Sequence, residues 1–295
     1  MRITQKAVAL TSLQGLNRNL DTLGKLQNQL TSGRLINAPS DSPTGTNRAM
    51  QTRSEQAAVA QQGRNISDAQ SWLDQTDSTL RTMIETTRRV RDLTVQGLNG
   101  GGLSDQARQA LATEVTSLRE GLLSLANTKN QGRPLFGGVT AGPDAYDATG
   151  AFVGVAGGPA ITRQISDTED LRVDTTGEEA FGTAPADLFT VVQSIATDLV
   201  SVTPGALDTD LSALDAVMEK MQSAVADIGA RGARLERVQN INADRSVLLG
   251  SQLAETENID LPNTIMRLKM QETGYQAALS ATAKALQPTL LDFLR

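Results

Sequence analysis

The acidic residues Asp167, Glu169 and Asp170, with Glu178 and Glu179 a little further along, are the side chains whose type and spacing come nearest to catalysis. Two carboxylates on either side of a glycosidic bond perform glycoside hydrolysis, one as acid and the other as nucleophile or base. Here they lie in a loop-rich stretch of an acidic chain, with no aromatic platform for a sugar, and they read as a solvated surface. A second constellation, Arg231, Arg234 and Arg237 with Glu236, has the residue types that hold a phosphate or an acidic partner. On a helix it reads as a solvated face. The 295 residues include no His and no Cys, which removes imidazole bases, thiol nucleophiles, disulfides and zinc sites built on either. No GxxxxGK-Ser/Thr follows a strand, so the glycines form no phosphate loop. Carboxylate, Ser, Lys and Arg chemistry remains in principle; the expectation is a protein that is not an enzyme and holds no cofactor or metal.

A net charge of −6 argues against a nucleic-acid binder, which needs a basic face. Only 3% of the chain is aromatic, with one Trp, two Tyr and five Phe. An apolar mass of Leu, Val, Ile and Ala suits long helices packed along narrow seams better than one thick globule. The longest uncharged segment does not approach the length of a membrane span. Arg2 and Lys6 precede Ala7-Val8-Ala9-Leu10, but Gln14, Asn17, Arg18 and Asn19 interrupt any apolar stretch. No secretory signal peptide is read here, and export would need another route.

The elements with the strongest pattern are the two ends. Leu10, Leu13, Leu16, Leu20, Leu23, Leu26 and Leu30 recur every three or four residues, a broad stripe that one partner helix would not cover. At the other end Leu261, Ile265, Leu268, Tyr275, Leu279, Leu286, Leu290 and Phe293 follow heptad spacing, with Leu291 and Leu294 adding to an apolar tip. Pro262 suits a first helical turn and Pro288 interrupts the ladder near the end. Pairing of the two ends is the expected arrangement, with apolar surface left over for other subunits.

Between them the first helix stops near Ser32-Gly33, and residues 34–46 form a connector containing Asn37, Pro39, Asp41 and Pro43. Helical periodicity covers about 47–98; Gly100-Gly101-Gly102 breaks it and Ser104-Asp105 caps a following helix. Glycines then crowd residues 137–182, where short strands are predicted at 151–155, 161–165 and 171–174. Helices resume at 187–202 and, after Thr203-Pro204-Gly205, over about 207–257, where Gly229 and Gly232 permit close packing or a bend. The predicted fold is mainly α: a long antiparallel helical rod with paired N- and C-terminal coiled-coil helices and a small β-rich insertion. Its domains are 1–33 with 258–295, the terminal coiled coil; 34–46, the connector; 47–136 with 187–257, the rod; and 137–186, the insertion.

These helical arms resemble the flagellin superfamily. Thr31-Ser32-Gly33-Arg34-Leu35-Ile36-Asn37 is similar to its SSGxRIN signature, and Arg89-Val90-Arg91-Asp92-Leu93-Thr94-Val95-Gln96 with Asn99-Gly100 resembles a second block. Three stretches resemble its hook–filament junction branch: Asn37-Ala38-Pro39-Ser40-Asp41-Ser42-Pro43, with Ser42 in place of an Asp; Gly132-Arg133-Pro134-Leu135-Phe136-Gly137-Gly138, with Pro134 in place of an aromatic; and residues 276–284 followed by Leu290-Leu291-Asp292-Phe293-Leu294. The resemblance implies a structural, motility-related subunit that leaves the cell unfolded through the flagellar type III export channel and folds into a homo-oligomeric ring. It implies a chaperone on the C-terminal helix, and hook-associated protein 1 and flagellin as axial neighbours. The seam residues then carry assembly, Asn37, Pro39, Asp41 and Pro43 the connector motif, and Arg133, Phe136 and Gly137 the turn motif. Alternatives are a filament subunit and, further off, a secreted coiled-coil binding protein.

Overall fold

The computed structural model describes residues 5–99, 102, 104–140, 142–201, 203 and 205–285, with the backbone alone described at 5–9 and 285. Its elements in chain order are α1 (Gln5–Ser32), α2 (Pro43–Leu98), α3 (Asp105–Ala126), β1 (Lys129–Asn130), β2 (Arg133–Pro134), β3 (Thr162–Gln164), β4 (Asp170–Arg172), α4 (Gly177–Phe181), α5 (Leu188–Ser201), α6 (Ala206–Glu257) and α7 (Leu261–Ala285). The protein is mainly helical with two small antiparallel hairpins. It divides into two compact units, residues 1–58 with 245–295, and residues 59–244. The long helices α2 and α6 contribute to both.

The second unit has one continuous core. Ile66, Leu73, Leu80 and Met83 from α2 join Val115 and Leu122 from α3, Val192 and Ile195 from α5, and Leu214, Met221, Ile228 and Leu235 from α6. The α6 residues recur every seven positions, which keeps one stripe of a long helix facing its neighbours. Thr76, Thr87 and Thr94 of α2 are fully buried as well; each hydroxyl donates to the carbonyl four residues earlier at 2.8 Å, so none of these three is left without a partner. Gly229 and Gly232 have nothing within 4 Å of where a Cβ would stand. They neither admit a close neighbour nor interrupt α6, contrary to the packing role expected for them.

The insertion differs from its sequence reading. The hairpin β1–β2, unforeseen, turns through Gln131 (φ 49°) and Gly132 (φ 82°), the positive dihedrals a two-residue hairpin loop demands. Strands β3 and β4 pair antiparallel, Arg163 opposite Leu171. The strand predicted at 151–155 shrinks to one bridge, Tyr146 to Phe152. Its amides go elsewhere: Ala151 N to the Asp147 side chain, Val153 N to Ala145 O and Val155 N to Gly137 O. No single neighbouring strand takes them all, so no ladder forms. Aromatic residues gather here, where Phe136, Tyr146 and Phe152 with Phe181 of α4 and Phe189 of α5 form a chain of ring contacts 4.7–6.1 Å apart.

Asp210, near the start of α6, sits against Asp198 of α5. Burial, then the neighbouring Asp198 charge and a hydrogen bond to it, push the Asp210 carboxyl up to about 6. The folded state therefore holds this proton more tightly than the unfolded chain, and stability falls as the pH rises from about 4 to about 6. Because the carboxyl is only partly buried, the loss is discounted for solvent screening to about 1 kcal/mol. Asp210→Asn is expected to add about 0.5–1 kcal/mol at pH 7.5 and nothing at pH 4, read from urea denaturation midpoints. An equal gain at both pH values would show that this carboxyl does not titrate as described.

Candidate assembly site

Several members of the acidic and basic clusters that opened the sequence reading have partners within the chain. Asp167 accepts from Gln62 at 2.7 Å, Glu169 pairs with Arg234 at 2.6 Å, and Glu179 is gripped by both terminal nitrogens of Arg172 at 2.8 and 3.0 Å. Glu179 also completes a capping box with Thr176 at the start of α4, and Arg172 and Thr176 together hold its carboxyl below the ordinary range although burial opposes them. Arg231 donates to the Asp174 carbonyl at 2.8 Å. Arg163 reaches Asp68 at 2.7 Å and Asn65 donates to Gln164 O at 2.8 Å. These groups fasten β3–β4 onto α2 and α6. Arg231 and Arg234, expected on a solvated face, are therefore clamps whose partners, the Asp174 carbonyl and the Glu169 carboxylate, lie far back in the chain. Among the described residues no group of three or more acidic side chains is placed to hold a metal ion.

The first unit places the terminal seams together. α1 lies along α7, with Gln271 Nε2 donating to Asn19 Oδ1 at 3.2 Å. Their apolar residues are only half-covered. Leu16, Leu23, Leu26, Leu30, Leu268 and Tyr275 are partly buried, whereas Leu10, Leu13, Leu20, Leu261, Ile265 and Leu279 remain 42–61% exposed. Met266 and Met270, outside the heptad reading, extend this exposed surface. Two helices share one line of contact, and a stripe as broad as that of α1 extends past it. Leu286, Leu290, Leu291, Phe293 and Leu294 lie outside the described residues.

The connector is ordered by its own side chains. The Asp41 carboxylate accepts from Asn37 N at 3.2 Å and Ala38 N at 3.0 Å, and Asn37 Nδ2 donates to Arg34 O at 3.3 Å. Pro39, exposed, stands inside this loop. Pro43 is the first residue of α2 rather than part of a loop, and Ser42 caps that helix by accepting from Gly45 N at 3.2 Å. Serine serves this position as well as an aspartate. At Gly45 a Cβ would meet Ile36 Cδ1 at 2.5 Å and Ser42 Oγ at 2.8 Å, so a larger residue would have to displace both side-chain ends. Sequence reasoning missed Gly45, Arg53 and Glu257; no local pattern marks them, because their partners stand on other segments.

The turn motif occupies the base of the insertion. Arg133 is exposed on β2 and Phe136 is fully buried, 4.9 Å from the Phe181 ring. At Gly137 a Cβ would meet Pro134 Cγ and Thr140 Cγ2, each at 2.8 Å.

A helical unit with a single core, and a second unit built from both chain ends with its apolar seam half-open, is the architecture of a structural subunit. Residues 3–141 match the bacterial flagellin N-terminal helical region. The chain is similar to flagellar hook-associated protein 3 of Escherichia coli (strain K12), 24% identical over 306 aligned positions that cover 95% of this chain and 96% of the relative. It is 26% identical to the flagellin of Bacillus subtilis (strain 168) over the whole of both chains. The structure of a flagellar hook-associated protein from Vibrio parahaemolyticus shares the fold, with a TM-score of 0.68 and 21% identity over 74% of this chain and all of that one. These similarities support a structural subunit of the bacterial flagellum. No described helix is long and apolar enough to cross a membrane.

Proposed function

We propose that the chain forms the junction between hook and filament, as a ring of identical copies outside the cell. The observation that carries this reading is the half-open seam of α1 and α7. Apolar surface left exposed along both ends of a chain is surface reserved for neighbours. Coupled folding and assembly follows, the terminal pair gaining order as neighbours cover it. Export through the flagellar type III apparatus, a chaperone on the C-terminal helix, and hook-associated protein 1 and flagellin as axial neighbours belong to the same proposal. So do the fourfold division into terminal coiled coil, connector, rod and insertion, and the absence of catalysis.

Flagellin is the second reading, favoured by the full-length similarity to the Bacillus subtilis protein. The Asn37–Pro43 and Gly132–Gly138 stretches support the junction instead, through their resemblance to that branch. Electron microscopy of a strain lacking the gene, with the medium assayed for flagellin, separates the two. Bare hooks with flagellin lost to the medium are expected. Intact filaments would overturn the junction reading, and absence of flagellin altogether would make this chain the filament subunit.

A further inference from the structure

Glu257 is the last residue of α6 and is only 6% exposed. A buried carboxylate needs a partner, and Arg53 Nη2 meets its Oε2 at 2.7 Å. The Glu257 carbonyl belongs to the last turn of a helix, where no intrahelical donor remains. Leu35 N, just beyond α1, donates to it at 2.6 Å. The exchange is mutual: Ile259 N donates to Gly33 O at 3.2 Å, and Arg34 bridges Asn258 antiparallel. Gln29 Nε2 adds a bond to Leu35 O at 2.9 Å. The ends of α1 and α6 thus cap one another, although Arg53 and Glu257 stand 204 positions apart in the chain.

We propose that this clasp, residues 33–35 against 257–259 locked by Arg53 on Glu257, is a positioning device that makes four helix segments one cooperative unit. The segments are the last turns of α1, the first turns of α7 and the adjoining turns of α2 and α6. The proposal deepens the junction reading and rests on it for its use in assembly. Its physical basis is independent of that use. No described apolar side chain of α1 or α7 is fully buried, so these helices draw little stability from a core of their own. The capping bonds exist only when both connections meet, and the Glu257 charge is tolerated in its buried position only with Arg53 beside it. Half a clasp leaves orphaned amides, an uncapped helix end and an unpaired charge. Closed and open are therefore the two favourable states, which is the condition for cooperative behaviour.

Hydrogen exchange read by mass spectrometry on the full chain tests this. In Arg53→Ala, exchange across 24–36, 46–56 and 250–268 is expected to accelerate together by at least tenfold, with 70–235 unchanged. Arg53→Lys should recover most of the protection, and Glu257→Gln added to Arg53→Ala should recover part of it by removing the unpaired charge. Acceleration confined to 33–35 and 257–259 would overturn the cooperative unit. So would its spread into 70–235, lack of recovery in both rescue variants, or lack of protection at 33–35 and 257–259 in the unaltered chain. Filament attachment in cells carrying Arg53→Ala is scored alongside. Normal junctions combined with the expected exchange would leave the clasp standing and overturn its use in assembly.

Discussion

Replacing Phe136 with alanine is expected to lower the unfolding midpoint of the residue 59–244 unit by about 6–20 °C, read by calorimetry or circular dichroism. Phe136 is fully buried and its ring packs edge-on against Phe181. Its backbone carbonyl accepts from Gly177 N at 2.8 Å, so the ring and the main chain both tie the insertion to the start of α4. Truncating a buried phenylalanine costs about 3–5 kcal/mol in lost transfer energy and residual cavity. A unit of this size shifts by about 2–4 °C per kcal/mol. Arg133→Ala, three residues earlier and exposed, is expected to move the midpoint by no more than about 2 °C. Similar shifts for the two variants would mean that the motif is not divided into a buried anchor and an exposed arm.

The second large effect concerns assembly rather than folding. Leu268→Asp places a charge on a half-buried position of α7, where α1 lies alongside. Desolvating an unpaired carboxylate costs several kcal/mol, and that penalty recurs at every copy in a ring. Complementation of the deletion strain with this variant is expected to restore no filaments, while the unfolding midpoint of the residue 59–244 unit stays within about 1 °C. Wild-type numbers of filaments would refute a role for the seam. A collapse of the midpoint would show instead that the two units are energetically joined.

These two variants separate what was legible in the chain from what was not. The helices were legible, because apolar residues such as Leu214, Met221, Ile228 and Leu235 repeat with the period of the element that buries them. The cap at Ser104 was legible as well, since a side chain and an amide three residues apart settle it locally; Ser104 Oγ accepts from Ala107 N at 3.2 Å. The β1–β2 hairpin and the lost strand at 151–155 were not, because short strands are set by where their amides find carbonyls. For Val153 and Val155 of the lost strand those carbonyls belong to Ala145 and Gly137, which no periodicity points to.

The chemistry of the candidate site divides in the same way. Absence of His and Cys made catalysis the less favoured reading, since composition limits which groups exist at all, and the leucine stripes at both ends agreed with assembly without showing it. The stripes also required a partner, because their apolar width exceeds what one helix covers. Only the tertiary structure decided that Glu169 and Arg234 are a clamp rather than two solvated charges. It likewise decided that Glu257 is buried against Arg53, and that Leu10 and Ile265 stay exposed while Leu16 and Leu268 are half-covered. An ion pair or a cap between residues 204 apart leaves no trace in local spacing; it exists only once the chain has brought both ends together.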